Sequence, residues 1–195
     1  MINIITPCYR ANNVSLIYKS INFNLINKWY IIYDTSKDRK YTKQFLDNPQ
    51  IIEIECSDNG IVGNSQRNLA LKIIDDDFIY FLDDDNIIHP EFWNIIPTLD
   101  KEYFYTWDQL RIENGNNSPW DLNNNQNGAI LYGNEVALKK IDTAQYILPR
   151  KIIKDIKFEP NIYWADGLFI SKIYELNKDK HIYISKTACY YNKLS

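Results

Sequence analysis

The sequence predicts an α/β domain built on a mostly parallel central sheet flanked by helices. Three observations lead there. Short apolar runs alternate with longer amphipathic runs through the first hundred residues. The chain has 195 residues, 45% of them hydrophobic, which is enough for one substantial core and cramped for two domains. An acidic cluster follows directly on one of the apolar runs, the position where open α/β sheets carry ligand-binding groups.

Taken in order, residues 2–5 (INII) form the first expected strand, and residues 14–25 place Val14, Leu16, Ile17, Ile21 and Leu25 at helical spacing. Residues 29–33 (WYIIY) return to a buried-strand pattern, residues 41–46 suggest a short helix, and residues 51–54 a third strand. A helix is expected over 65–74 and a fourth strand over 78–82. Strand and helix thus alternate as in βαβ units, which puts the ligand site at the carboxyl ends of the strands. Residues 114–128 (NGNNSPWDLNNNQNG) are turn formers and read as a long loop. Strands are expected again at 129–132 and 182–184, and a helix at 167–176. One domain over 1–195 is therefore expected, with a ligand-binding half at about 1–100 and a half at about 101–195 that completes the fold and carries a second substrate.

Charge narrows the function classes. The 22 Lys and Arg against 25 Asp and Glu leave a net charge of -3 with no basic run, which argues against nucleic acid and anionic lipid as main partners. Cys8, Cys56 and Cys189 are widely spaced and odd in number, which favours neither a disulfide framework nor a zinc site. The opening MINIITPCYR has no basic region before its short apolar run, and no apolar stretch approaches the ~18 residues of a bilayer span. A soluble, cytoplasmic protein without membrane insertion is the expectation.

The stretch DDDFIYFLDDDN carries two aspartate triplets around one strand. Asp75, Asp76 and Asp77 precede the strand, at the amino edge of the sheet, and read as a solvated turn. Asp83, Asp84 and Asp85 follow it, at the carboxyl edge. Three adjacent carboxylates repel one another, and a divalent cation removes that conflict. Hard oxygen ligands select Mg²⁺ or Mn²⁺, which leave coordination positions open for substrate phosphates.

The segment GNSQRNLALKIIDDDFIYFLDDDNIIHPEFW, residues 63–93, resembles the run in GT-A nucleotide-sugar glycosyltransferases of family 2, and in the animal glucuronyltransferases, where an Arg-Asn helix leads into a strand ending in the acidic DXD motif. The opening ITPCYR is similar to the first strand and nucleotide loop of that class, and Asp34 follows the second strand. The resemblance implies a GT-A, Rossmann-like fold and a donor that is a nucleoside diphosphate sugar, a UDP-sugar by preference. It implies that Asp85 binds the metal, that Asp83 contacts the ribose or holds the metal through water, and that Asp84 does either. Thr6, Pro7, Tyr9 and Arg10 fall where the nucleotide would sit, although Pro7 also suits a strand end. Asp34 matches the residue that accepts a hydrogen bond from uracil, with an N-cap or turn Asp the competing account. Arg67 would brace the acidic cluster or the diphosphate, or else form an ordinary ion pair, and Asn68 has the same two readings.

Inverting transfer needs a proton acceptor facing the incoming hydroxyl. Asp166, in NIYWADGLFI, resembles the residue supplying that base, although the usual Glu-Asp pair is here Ala165-Asp166. A helix N-cap is its alternative, and Glu135 is the reserve base. Trp107, Asp108, Trp120 and Trp164 are acceptor-site candidates, with Trp120 and Trp164 preferred, since aromatic faces stack on sugar rings. His181 is a candidate third metal ligand and His89 a loop residue. The expected function is metal-dependent transfer of a sugar to a glycan or glycoprotein hydroxyl. Two other readings stay open: a non-catalytic domain that binds sugar nucleotide or glycan, and a sugar-1-phosphate nucleotidyltransferase. The latter normally has a Gly-rich basic loop where this chain reads TPCYRANN.

Overall fold

The structure is a computed structural model and describes residues 1–36, 41–45, 47–112, 128–191 and 194. In chain order the strands are β1 (Ile2–Cys8), β2 (Ile26–Asp34), β3 (Ile51–Cys56), β4 (Phe78–Phe81), β5 (Ile87–Ile88), β6 (Phe104–Ile112), β7 (Gly128–Leu131), β8 (Tyr146–Pro149) and β9 (His181–Tyr191). The α-helices are α1 (Val14–Ser20), α2 (Asn64–Ile73), α3 (Pro90–Ile95), α4 (Arg150–Ile153) and α5 (Ala165–Leu176).

All nine of these strands join one sheet in the order β3-β2-β1-β4-β8-β6-β9-β5, with β7 paired to β6. The first four run parallel, β3 with β2, β2 with β1 and β1 with β4. β8 enters antiparallel between β4 and β6, and β9 then lies parallel to β6. The chain steps outward from β1 to β2 and β3, then returns to place β4 on the other side of β1. That reversal makes the crevice at the carboxyl ends of β1 and β4 a topological switch point, the place where α/β sheets bind ligands.

The strands read as apolar runs because both faces are covered. Side chains alternate across the sheet, so neighbours part company: Ile4, Ile31 and Tyr80 enter one core with Trp29, Phe92 and Trp107, while Ile5, Ile32 and Phe81 enter the other with Tyr146, Phe158 and Phe169. α1 and α3 supply Val14, Ile17, Phe92 and Ile95 to the first core, and α2 and α5 supply Ala70, Leu71, Phe169, Ile170 and Ile173 to the second. The result is a helix–sheet–helix sandwich of the expected α/β class.

Several elements differ from expectation, each for a local reason. α1 ends at Ser20 because Ile21 is already extended, at ψ 129°, and residues 22–25 turn into β2. Residues 41–45 are not helical. Their amide donors go to a neighbouring strand, with Gln44 and Phe45 N–H donating to the Glu53 carboxylate, while Tyr41 stacks on Tyr33 and Phe45 on Tyr18. β6 and β8 were not legible as strands, since β6 buries the polar Thr106, Asp108 and Gln109. Among the described residues no helix is long and apolar enough to cross a membrane.

Candidate active site

A cavity of about 1180 Å³ opens at the switch point, lined by groups from both halves of the chain. Its floor is the acidic triplet that follows β4, and each of the three aspartates is held differently. Asp84 is buried, and its Oδ2 accepts from the backbone N–H of Tyr9 and of Arg10, each at 2.6 Å, while Oδ1 accepts from Arg10 Nη1 at 2.6 Å. It thereby locks the turn after β1 to the turn after β4. Asp83 is held by Arg67 Nη2 and by Thr143 Oγ1, the latter at 3.2 Å. Asp85 meets Arg10 Nη1 at 3.2 Å, and burial with the neighbouring Asp83 charge pushes its carboxyl up to about 6 despite that guanidinium.

Arg67 reaches Asp83 from the first turn of α2. Its Nη1 donates to Val62 O at 2.7 Å and Asn64 Oδ1 at 3.3 Å, and its guanidinium lies 5.3 Å above the Phe158 ring. Gly63 begins that helix in the left-handed region, φ 80°, and a Cβ there would lie 2.6 Å from Pro7 Cβ. Its N–H donates to the Tyr9 hydroxyl at 3.0 Å, so Tyr9 fastens the loop before α2 to the exit of β1. Asn68 binds Phe158 reciprocally, Nδ2 to O at 2.8 Å and Oδ1 from N at 2.9 Å. Phe158 in turn stacks on Phe169 with centroids 4.0 Å apart, and Phe81 packs edge-on against both. Such pairs contribute about 0.5–1.5 kcal/mol each beyond area burial, and together they fix the start of α5.

Asp166 lies in the first turn of that helix and lines the cavity. It is not the N-cap, which is Trp164, and its Oδ1 accepts from Gly167 N–H at 2.8 Å. Burial raises its carboxyl above the ordinary range, the Gly167 N–H and Arg67 pull it down, and Asp83 pushes it up again. Trp164 also lines the cavity, 44% exposed, with Lys139 Nζ 4.8 Å from its ring centroid. Pro7, Tyr9 and Arg10 line the same cavity.

Other expected residues fall elsewhere. Thr6 is fully buried and its hydroxyl accepts from Trp29 Nε1 at 2.9 Å, so it faces a core rather than the cavity. Asp34 ends β2 at the same edge of the sheet but accepts from Ser36 N–H and Oγ, outside the cavity lining. Trp120 lies outside the described residues. Trp107 is buried with its Nε1 donating to Ala144 O, Asp108 accepts from Gly133 N–H and the Tyr183 hydroxyl, and neither lines the cavity. Glu135 faces solvent toward Lys140. His181 sits at the opening of β9, at the amino edge of the sheet, within 2.9 Å of Thr106 Oγ1 and outside the cavity lining. His89 caps α3, its Nδ1 accepting from Glu91 N–H.

Among the cavity residues that escaped sequence reasoning, one is charged and central. Asp142 caps a short 3-10 turn in a capping box with Gln145, accepts from Gln109 Nε2 at 3.1 Å, and has its carboxyl raised by burial and by the charges of Asp83 and Asp166. The D-x-x-Q spacing of a capping box was the signal available. Beside this group two buried polar atoms, Arg67 Nε and the Tyr146 hydroxyl, have no hydrogen-bond partner among the described residues.

A cation at this site would find only oxygen donors, and a guanidinium already stands in the position where positive charge is needed. Asp85 and Asp83 therefore fit Mn²⁺ or Mg²⁺. Among the described residues no three His, Cys, Asp or Glu are gathered as a complete cage, so further positions would fall to phosphate and water.

Comparison with solved structures finds the same fold in S. aureus TarS. The 1-349 form aligns over 97% of this chain and 59% of that one, with a TM-score of 0.68 at 19% identity. Its complex with UDP-GlcNAc aligns over 97% and 57%, with a TM-score of 0.68 at 16% identity, and its complex with UDP over 97% and 59%, with a TM-score of 0.67 at 18% identity. This chain thus spans under two thirds of those structures. No curated protein matches it. The family model described as Glycosyl transferase family 2 matches residues 4–179, which takes in β1, the acidic triplet and α5 alike, and the chain belongs to that glycosyltransferase family.

Proposed function

We propose that this domain transfers a sugar from a UDP-sugar to a hydroxyl of a glycan or glycoprotein acceptor, with inversion at the anomeric carbon, in a divalent-metal-dependent reaction. The observation that carries the reading is the single cavity in which Tyr9, Arg10, Arg67, the triplet 83–85 and Asp166 converge from four separate segments of the chain. The crystallised complexes of TarS with UDP and UDP-GlcNAc support a uridine nucleotide as the donor's handle.

In this reading Pro7, Tyr9 and Arg10 receive the nucleotide at the exit of β1. Asp85, with Asp83, would hold Mn²⁺ or Mg²⁺, which when bound supplies positive charge to the departing diphosphate. Arg67 keeps Asp83 oriented and adds fixed positive charge from within the protein, where it needs no reorganisation during the reaction. The acceptor oxygen bonds to the anomeric carbon as the bond from that carbon to the diphosphate oxygen breaks. Its proton passes to the Asp166 carboxylate, whose affinity for protons burial raises, a shift that favours a general base. Trp164 at the mouth offers an aromatic face to the acceptor ring.

The test has two stages. Thermal shifts with UDP, GDP, CDP and TDP, each with Mn²⁺, Mg²⁺ or EDTA, should give stabilisation by UDP with metal alone. Asp166→Asn should then lower transfer or donor hydrolysis by about 10²–10⁴-fold while the UDP shift persists. Stabilisation by UDP in a wild type that neither transfers nor hydrolyses any UDP-sugar would instead favour a domain that binds without turnover.

A further inference from the structure

Arg10 lines the cavity and meets two carboxylates of the acidic triplet, where the proposed cation and diphosphate would bind. Its backbone is immobilised, since its own N–H and that of Tyr9 donate to Asp84 Oδ2. Its side chain is half exposed and spans the triplet, with Nη1 at 2.6 Å from Asp84 Oδ1 and 3.2 Å from Asp85 Oδ2. The two contacts are unequal: the first is short and reaches a buried carboxylate, and the second is longer and reaches one that is 17% exposed. Arg67 has no such freedom, being buried and donating to Val62, Asn64 and Asp83 at once. A guanidinium and a divalent cation repel one another, so a cation arriving against Asp85 weakens the hold of Arg10 there.

We infer that Arg10 is a displaceable counter-ion, an inference that rests on the metal-dependent reading above. In the free protein it partly neutralises Asp85. A divalent cation takes its place there, and the released guanidinium pivots about its fixed Cα onto the donor's diphosphate. The two ligands are coupled as a consequence. A cation arriving alone turns Arg10 out into water, whereas a cation arriving with UDP gives the guanidinium a new anionic partner.

The test measures Mn²⁺ affinity of the full chain from the EPR signal of the free ion, with and without UDP, for wild type, Arg10→Gln and Arg10→Lys. Gln keeps the backbone donors and removes the charge. Arg10→Gln should bind Mn²⁺ alone at least about fivefold more tightly than wild type, and UDP should improve its Mn²⁺ affinity by a smaller factor. Arg10→Lys should fall between the two. Adding Asp85→Asn to Arg10→Gln should abolish the gain. Circular dichroism melts verify folding, and should Arg10→Gln unfold, Arg10→Lys carries the comparison in the same direction. Equal Mn²⁺ affinity and equal UDP coupling in wild type and variants overturns the role of Arg10 and leaves metal dependence intact. Mn²⁺ binding to none of them, with UDP present or absent, removes metal dependence itself and this inference with it.

Discussion

Two aspartate triplets of identical sequence flank β4, and they meet opposite surroundings. At its amino end Asp76 is 84% exposed, and Asp77 is paired with Lys101 and the chain's terminal amine. Burial pushes the Asp77 carboxyl up, but those two cations win and hold it below the ordinary range. At the carboxyl end the side chains of Asp83, Asp84 and Asp85 are 28%, 4% and 17% exposed, and two guanidiniums with two backbone donors leave Asp85 under-neutralised. The first triplet is a turn whose charges are served by surface cations. The second holds more negative charge than its two guanidiniums neutralise, as the proposed cation site requires. Position along one strand, rather than composition, separates them.

The largest test of this contrast is removal of the buried counter-charge. Arg67→Met should cost about 3 kcal/mol in urea unfolding, the low end for breaking a buried pair because Asp83 keeps some exposure, and adding Asp83→Asn should recover part of it. A loss no larger than that of a surface variant would dissolve the distinction between the triplets.

A smaller effect with a defined pH signature comes from Asp85. Its proton is bound more tightly in the native state than in the unfolded chain, where the ordinary value is 3.8. The native state therefore carries more protons between roughly pH 4 and 6, and metal-free stability falls as pH rises through that window. Asp85→Asn in EDTA should raise stability at pH 7.5 by on the order of 2 kcal/mol, several degrees in Tm, with the gain vanishing near pH 4. Smallest of all, Asp76→Asn should shift stability by less than about 0.5 kcal/mol at either pH. A pH-dependent gain at Asp76 matching that at Asp85 would show that the two ends of β4 are electrostatically alike.

What could be read from residues alone follows the same division. β1 to β4 and α2 were legible because continuous apolar strands and an amphipathic helix carry their own periodicity. β6 was hidden because Thr106, Asp108 and Gln109 are buried polar residues whose side-chain bonds go to His181, Tyr183, Gly133 and Asp142, partners distant in sequence. The acidic triplet, Arg67 and Asp166 were visible as residue types in suggestive places, but that Asp84 would be consumed in fastening Tyr9 and Arg10 was not. Nor could the sequence reveal that Thr6 turns to Trp29, since the side a strand residue faces depends on what packs beneath it.

The insertion of β8 between β4 and β6 has a consequence for how this chain is made. Ile79 finds its sheet partner in Leu148, so the parallel first half cannot complete its sheet until much of the second half has been synthesised. Until then β4 is an open edge of unpaired amides and carbonyls beside an apolar face, a template for wrong pairing. Such long-range pairing slows folding, and a fragment ending near residue 100 would be expected to aggregate rather than fold as an isolated nucleotide-binding module. The two halves of the sheet must be born together.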